Sequence, residues 1–333
     1  MLAASFSGIV SFQQASAIPT FDFIVTPDNP ITEILNALFA PASGITVVGG
    51  SETFVGRVGD GVNLNTAQSA TYTGFNEIAN NAGFPNISNP DGIFLTSGIA
   101  NIAATNNDVS FDHGSVGILA PGTGGDPDLS AILIAASAPS SITNDRNFIQ
   151  FDFTVAAGMT SVQADFVFGS DEFPDQSVTD VFAFIVDGTN YAFFPDGSLV
   201  SFVTGVNAAN FEDNNVATGN YNIEYDGISH SMTVVGILDP NLATHTIKIA
   251  IADTSDSIFD SGVFIGNLKA GTLDDGGIMN GNGDGQAIGG EIIPINSAAL
   301  LVAGIGSSAY TVFGIIALVG LGIGILVVKR KHN

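Results

Sequence analysis

The sequence predicts a mainly β protein: an antiparallel β-sandwich or jelly-roll-like fold, with one short N-terminal helix and a single C-terminal transmembrane helix. Three observations support this prediction. Short apolar runs separated by Gly, Asn, Asp and Pro fill residues 45–271, one helical pattern precedes them, and one long uncharged segment follows them. Many short strands with turn signals between them are typical of sandwiches, whereas βαβ folds need further helices between the strands.

The N-terminal helix is predicted within VTPDNPITEILNALFAPASGITVV, residues 25–48. Pro30 suits the first helical turn, and Pro41 and Gly44 mark the end of the pattern. Apolar residues at helical spacing predict one buried face, formed by Ile31, Ile34, Leu35 and Leu38.

The strand-like runs show period-two alternation and turn residues. In FIQFDFTV (148–155), the apolar residues Ile149, Phe151, Phe153 and Val155 alternate with Phe148, Gln150, Asp152 and Thr154. YAFFPDG (191–197) and YNIEYDG (221–227) also read as strands ending in turns, and GTGGDPD (122–128) reads as a loop without a following helix. The predicted hairpin-like turns are Asp187-Gly188, Asp196-Gly197 and Asp226-Gly227.

Composition excludes several function classes. The 333 residues contain no Cys, so thiol catalysis, Cys-ligated zinc and iron–sulfur clusters are excluded. Seven basic residues face 32 acidic ones, and three of the seven are Lys329, Arg330 and Lys331. Such a chain repels nucleic acid, whose binding needs Lys and Arg against the phosphates, but it suits divalent cations. We therefore expect no nucleic-acid partner.

Both ends carry targeting signals. Residues 1–17 resemble a signal peptide that ends in Ala15-Ser16-Ala17 and lacks the usual basic start, so we expect the true start to lie upstream. Residues 18–271 are the predicted ectodomain, and the Gly/Asn/Asp-rich residues 272–297 are a linker.

The membrane anchor is predicted at residues 298–328, with a core span at 310–328 that is long enough for about 28 Å of helix. The basic tail at 329–333 places the C-terminus in the cytoplasm and the acidic ectodomain outside the cell membrane. Gly320 and Gly324 have the GxxxG spacing that would pair two such helices in a homodimer.

Two acidic groups lie where strand-like runs meet loops, in FGSDEFPDQSVTDVFAF (168–184) and IADTSDSIFDSGVFI (251–265). Three interpretations stay open: solvated turns, a catalytic carboxylate pair as in glycosidases, or a calcium site. We favour calcium, since hardly any basic residues are available to neutralise these carboxylates. The candidate ligands are Asp171, Glu172, Asp175, Asp180, Asp253, Asp256 and Asp260.

Two weaker sites complete the inventory. The linker has the spacing of a calcium loop at Asn280, Asn282, Asp284 and Glu291, although a flexible linker is the favoured explanation of such a tract. Asn86 begins the sequon Asn86-Ile87-Ser88 and is a candidate glycosylation site. HExxH, G-x-S-x-G and phosphate-loop patterns are all absent, so no catalytic residue is predicted.

Several stretches resemble the choice-of-anchor L domain of prokaryotic surface proteins. These include GIFLTSGIANIAATNN (92–107), FGSDEFPD (168–175) and IADTSDSIFDSGVFI (251–265), and the resemblance covers about Thr26 to Ala270. Asp171 and Phe173 stand where that family often has Glu and Tyr. The ending GGEIIPI (289–295), followed by one apolar segment, resembles archaeal surface proteins.

The resemblance implies surface display, a β-rich fold and no enzymatic role. The leading hypothesis is therefore a membrane-anchored, non-enzymatic binding or adhesion module with calcium-ordered acidic loops. Surface glycans or other envelope proteins would be its partners. The alternatives are a structural component of the cell envelope or extracellular matrix, and a carboxylate-based surface hydrolase.

Overall fold

The computed structural model describes residues 19–25, 30–59, 66–77, 79–80, 83–103, 123–174, 180–215 and 219–280. All of them belong to the first of two units, Met1–Pro294. The predicted signal peptide, membrane anchor and basic tail lie outside the described residues, as do Gly320 and Gly324. Within the described ranges, no helix has both the length and the apolar character that a membrane crossing requires.

Nearly all the regular structure is strand. The helices of the described residues are α1 (Pro30–Leu38), α2 (Ala100–Ala103) and α3 (Pro127–Ala135), with one 3₁₀ turn at Ala208–Asn210. The strands are β1 (Thr20–Phe23), β2 (Ile45–Val47), β3 (Thr53–Val55), β4 (Ser69–Thr73), β5 (Asn76–Glu77), β6 (Ile87–Ser88), β7 (Asp91–Thr96), β8 (Thr143–Val155), β9 (Ser161–Ser170), β10 (Val181–Val186), β11 (Thr189–Asn190), β12 (Phe211–Asp213), β13 (Gly227–Ser229), β14 (Met232–Ile237), β15 (His245–Thr254), β16 (Ser261–Gly271) and β17 (Gly277–Asn280).

These strands form two large antiparallel sheets and one small hairpin. The first sheet has the order β1-β4-β7-β16-β9-β13-β12, and its strand β9 also pairs with β14, which pairs with β17. The second sheet has the order β11-β10-β15-β8-β2, and β3 also pairs with β8. Strands β5 and β6 pair with each other. The predicted mainly β, antiparallel class is confirmed.

The main hydrophobic core lies between the two large sheets. Phe166 of the first sheet and Phe182 of the second are both fully buried, and their ring centroids lie 5.5 Å apart. The predicted alternation in β8 places Ile149, Phe151 and Phe153 in this core at 0% exposure. Because each sheet buries one face against the other, period-two alternation sets which side chains enter the core.

The first sheet is also buried on its outer face. Phe94, Val167 and Phe264 point away from the main core into a second cluster, which includes Phe75 and Tyr225. The rings of Phe94 and Phe264 lie 4.5 Å apart at their centroids. Strands covered on both faces read as continuous apolar runs, which explains sequences such as DFVFG and SGVFIG.

Helix α1 confirms the predicted N-terminal helix. It begins at Pro30 and ends at Leu38, and Ile34 and Leu38 are fully buried in the main core. Just after the helix, the Ala40 amide donates to the Leu268 carbonyl at 3.0 Å and joins the chain to β16. The cap candidates Asp28 and Asn29 lie outside the described residues.

The expectation of a single helix is wrong, because α3 starts inside the segment predicted as a loop without a helix. Asp126 caps α3: its Oδ1 accepts hydrogen bonds from the amides of Asp128 and Leu129 at 3.0 and 3.1 Å. Pro127 occupies the first turn. The sequence shows no clear helical pattern here because α3 has apolar residues on its exposed face as well as on its buried face. Ile134 is exposed, whereas Leu129 and Leu133 are buried.

A buried ion pair holds α3 against the second sheet. Lys248 Nζ donates to both carboxylate oxygens of Asp126, at 2.9 and 2.7 Å, and to Asp128 Oδ2 at 2.7 Å. The ammonium also lies 4.4 Å from the centroid of the Phe148 ring. Lys248 is therefore engaged by the two aspartates at the start of α3.

Two predicted strands are wrong, and one predicted turn is confirmed. The Asn214 amide Nδ2 donates to the carbonyls of Ile223 and Tyr225 at 2.8 and 2.9 Å, so a side chain replaces a neighbouring strand in 221–226. Segment 191–197 contains one isolated bridge residue, Phe193, which pairs with Leu199, instead of a regular strand. Asp187 and Gly188 do form the two-residue hairpin turn, both with positive φ.

The ordered sheet extends into the predicted linker. Strand β17 lies within residues 272–297 and pairs with β14 from Val235↔Gly277 to Met232↔Asn280. Ile278 is fully buried in the main core. The predicted hairpin turn at Asp226-Gly227 is wrong, since Gly227 begins β13 and pairs with Asp213.

Close packing at Gly169 yields a stability prediction. A Cβ built on Gly169 would lie 2.4 Å from Cδ2 of the buried Tyr225 ring. We therefore expect Gly169→Ala to lower the free energy of unfolding by about 1–3 kcal/mol through overpacking. Gly49→Ala is the matched control, because a Cβ there meets no atom within 4 Å. Thermal unfolding of both variants measures the effect, and equal midpoints would contradict this packing.

Candidate functional site

The acidic segments converge at one end of the sandwich. Strand β9 ends beside the start of β16, since Ser170 pairs with Ser261 in the antiparallel ladder. In the second sheet, β15 ends beside the start of β10. Asp180, just before β10, accepts a hydrogen bond from the Ser261 hydroxyl at 2.7 Å and joins these ends across the two sheets.

Six of the seven carboxylates predicted in these segments occupy this end of the molecule. We call them the strand-end cluster; the seventh candidate, Asp175, lies outside the described residues. Its members are Asp171 and Glu172 after β9, Asp180 before β10, Asp253 in β15, Asp256 after β15 and Asp260 before β16.

Asp180 is fully buried and well supported. Its Oδ1 accepts from the Thr254 amide at 3.3 Å, and its Oδ2 accepts from Ser261. The Ser261 hydroxyl also lies 2.9 Å from Ser170 Oγ, which accepts from the Glu172 amide at 3.1 Å. This chain of hydroxyl groups fixes the spacing between Asp180 and the turn that carries Glu172.

Glu172 and Asp253 lack comparable support. Both are buried, at 0% and 1% exposure, and none of their four carboxyl oxygens has a hydrogen-bond partner of acceptable geometry. Burial has the largest effect on the pKa of Asp253 and raises it, the charge of Asp180 raises it further, and a long contact with the Ser97 hydroxyl opposes the shift. Leaving a buried polar group unpaired costs about 1–3 kcal/mol, and more for a charged group. These two side chains are therefore the unsatisfied part of the cluster.

A backbone hydrogen bond joins Asp171 to Asp260, and each of their carboxylates has a further contact. The Asp171 amide donates to the Asp260 carbonyl at 3.1 Å, and Asp171 Oδ1 accepts from the Asp226 amide at 3.2 Å. The Asp260 carboxylate packs directly on Gly98, where a Cβ would lie only 1.8 Å from its Oδ2. The absent side chain of Gly98 thus makes room for this carboxylate.

The loop between β15 and β16 has a backbone conformation that L-residues seldom adopt. Ser255 has φ +71° and Phe259 has φ +66°, on either side of Asp256. The Asn144 side chain donates to the Asp256 carbonyl at 2.8 Å and ties the loop to β8. Left-handed non-glycine residues carry strain that concentrates at ligand clamps and active sites.

Burial and mutual repulsion raise the pKa values of five cluster members, namely Asp171, Glu172, Asp180, Asp253 and Asp260. Burial raises the pKa of Glu172 to about 9, and the nearby charges of Asp180, Asp256 and Asp260 add to the effect. Burial also raises the pKa of Asp180 to about 7, although hydrogen bonds from Ser261 and Thr254 oppose the shift. The pKa values of Asp171, Asp253 and Asp260 rise well above normal for the same reasons.

All the charges that raise these pKa values are negative. Asp226, Glu224 and Asp260 act on Asp171, while Asp180, Asp260 and Asp145 act on Asp253. No Lys, Arg or His is among the described groups that shift the pKa of a cluster member.

Three buried acids beside the cluster were not predicted: Asp145, Glu224 and Asp226. Glu224 and Asp226 lie in the segment misassigned as a strand, and Asp145 lies inside β8 with φ +47°. Tyr225 lies between Glu224 and Asp226 in the chain, and its hydroxyl donates to Thr96 Oγ1 at 3.2 Å. The sequence signal that could have indicated these three buried acids is an acidic residue inside or beside a strand-like run.

The carboxylates do not form a ready-made metal centre. Across the described ranges, which omit residues 175–179, no three His, Asp or Glu side chains are arranged to hold one ion.

The two weaker candidate sites lie away from this cluster in the sequence. Asn280 ends β17, whereas Asn282, Asp284 and Glu291 of the weak linker site lie outside the described residues. Asn86 is exposed just before β6, where a glycan would be accessible.

Comparison with known proteins gives one match. The family described as Choice-of-anchor L domain matches residues 51–271, which include the whole strand-end cluster. No curated protein matches the chain, and no solved structure matches it either.

The raised pKa values predict how stability depends on pH. Unfolded Asp and Glu titrate near pH 4, so between about pH 4 and pH 9 the folded chain binds more protons than the unfolded chain. In chelator, we therefore expect the thermal midpoint to fall as the pH rises through this window.

The double variant Glu172→Gln/Asp253→Asn provides the control, because it removes two titrating groups with little change in shape. Its midpoint should depend less on pH than that of the wild type, whereas Asp22→Asn, on the exposed edge of β1, should keep the wild-type slope. A wild-type midpoint that rises from pH 5 to pH 9 would overturn the interpretation.

Proposed function

Because the chain belongs to the choice-of-anchor L domain family, a family of surface-associated proteins, we propose that it is a non-enzymatic binding or adhesion module of the cell surface. The family is not an enzyme family. The acidic composition and the pattern of an uncharged segment at 310–328 followed by Lys329, Arg330 and Lys331 support a single-pass anchor with the β domain outside the cell.

The proposal includes calcium as the ion that orders the strand-end cluster. The observation that carries it is the pair of buried carboxyl groups of Glu172 and Asp253, whose oxygens accept no hydrogen bond of ordinary geometry and which are surrounded by further carboxylates. A buried carboxylate must be protonated, paired or bound to a cation. Calcium suits this environment because it takes about six to eight oxygen ligands, including carbonyls, hydroxyls and water.

The arrangement of the acids decides what kind of calcium site we propose. Since no three carboxylates converge on one point among the described residues, one or two of them would bind the ion together with backbone carbonyls and water. The strained loop around Asp256 is the element that would adjust. Calcium would then order this loop at the surface, where a binding partner would contact it.

Burial argues against the carboxylate hydrolase. Glu172, Asp180 and Asp253 are 0%, 0% and 1% exposed, so a bulky substrate would not reach them in this conformation. A glycosidase needs its two carboxyl groups on either side of an accessible bond. Binding rather than catalysis is therefore the function we propose for this end of the molecule.

Thermal unfolding of the purified full chain in calcium and in chelator tests the calcium proposal. We expect calcium at a hundred times its dissociation constant to raise the midpoint by about 5–10 °C, because the ion binds only the folded state. Glu172→Gln/Asp253→Asn should lose this shift and, in chelator at pH 9, melt at a higher temperature than the wild type, since it removes two buried carboxyl groups whose ionisation the folded state opposes.

Asp22→Asn is the matched control, because it removes an exposed carboxylate of β1 that is not part of the strand-end cluster. This variant should keep the full calcium shift. Identical wild-type midpoints in calcium and in chelator would rule out an ordering role for calcium. A calcium shift that survives in the double variant would place the ion elsewhere.

A further inference from the structure

A second feature lies away from the strand-end cluster, at the opposite end of β7. It is a pocket of about 560 Å³, which falls within the size range of small-ligand sites. The end of α1, strand β4 and the start of β7 form its walls, and residues of β9 and β16 complete it. Its polar lining residues include Asn36, Tyr72, Asn89, Asp91, Asp165 and Asn267.

A bulge in β16 shapes one wall. The pairing of β16 with β9 shifts register between Gly266 and Lys269, and Asn267 within it has φ +56°. The Asn267 amide Nδ2 donates to Asp165 Oδ2 at 2.6 Å, while Asp165 Oδ1 accepts from Thr233 Oγ1 at 2.6 Å. Bulges of this kind re-aim side chains next to binding sites.

The base of the pocket contains an unpartnered hydroxyl group. Tyr72 is 1% exposed, and its hydroxyl has no hydrogen-bond partner. A Cβ on the neighbouring pocket residue Gly92 would lie 2.9 Å from this oxygen and 2.2 Å from the Ile265 carbonyl oxygen, so only glycine fits beside the hydroxyl group. A buried donor without an acceptor is uncommon in folded proteins and is explained by a ligand that supplies one.

The rest of the lining narrows the class of ligand. Phe39, Pro41 and Pro90 offer apolar surface, while Asn36 and Asp91 are exposed polar groups at the rim. None of the described lining residues is basic, and two are acidic, so the pocket disfavours anions. A mixture of donors and acceptors above apolar surface suits hydroxyl groups, which both donate and accept, on a ring with an apolar face.

We propose that this pocket binds a neutral oligosaccharide, with Tyr72, Asn36 and Asp91 bonding its hydroxyl groups and Phe39 and Pro90 contacting its ring. The inference extends the proposed surface-binding function by naming a ligand class and a site. It does not depend on calcium, because the pocket and the strand-end cluster share no residue.

The test uses the purified full chain and four trisaccharides: maltotriose, mannotriose, chitotriose and the anionic trigalacturonic acid. Titration calorimetry in calcium and in chelator measures each affinity. We expect at least one neutral trisaccharide to bind and trigalacturonic acid to bind more weakly or not at all. Binding of no neutral trisaccharide, or preference for the anion, would overturn the inference.

Tyr72→Phe provides a sharp variant, because it removes only the unpartnered hydroxyl. We expect an affinity loss of about tenfold, corresponding to one hydrogen bond, with an unchanged or higher thermal midpoint. Asn36→Ala, on an exposed part of α1, should also weaken binding without loss of stability. Wild-type affinity in both variants would remove these residues from the site and overturn the inference.

Tyr221→Phe is the matched control, since the Tyr221 hydroxyl donates to the Pro85 carbonyl at 2.8 Å outside the pocket. This variant should lose stability and keep the affinity. Failure of the two proposals is distinguishable: saccharide binding without a calcium shift sinks only the calcium proposal, and a calcium shift without saccharide binding sinks only the pocket.

Discussion

The hydroxyl group of Ser261 joins the two sheets at the end where the acidic residues converge. It donates to Asp180 at 2.7 Å and lies 2.9 Å from Ser170, so one side chain links β16, β9 and the start of β10. Without this link, the turn carrying Glu172 and the strand carrying Asp253 would be free to separate and hydrate. The link therefore holds unsatisfied carboxylates together inside the protein.

The same contacts give a physical account of the motif FGSDEFP. Gly169 lies under the Tyr225 ring, Ser170 joins Ser261, and Phe173 packs 5.2 Å from the Phe202 ring centroid in the core. The apolar and small residues of the motif thus fix the turn, and the acidic pair between them is placed by its neighbours. Packing alone does not explain the acidic pair, which is why we propose a ligand for it.

The two candidate sites differ in their physical character. The strand-end cluster is mostly buried and rich in carboxyl groups, so it fits an ion that stabilises the fold. The pocket beside α1 is open, mixed in polarity and built on a bulge, so it fits a molecule that the domain recognises. Separate sites for order and recognition would let a surface protein keep its binding pocket rigid while its loops respond to the ionic medium.

The sequence by itself determined the mainly β class, helix α1, most strands, the charge imbalance and the identity of six clustered carboxylates, because alternation, turn residues and composition are local properties. Only the tertiary structure decided that Asp145, Glu224 and Asp226 join them, that α3 forms on Asp126, and that β17 extends the sheet. It alone revealed the Tyr72 pocket. These features depend on contacts between residues far apart in the chain, such as Lys248 with Asp126 and Asp226 with Asp171, which no local pattern encodes.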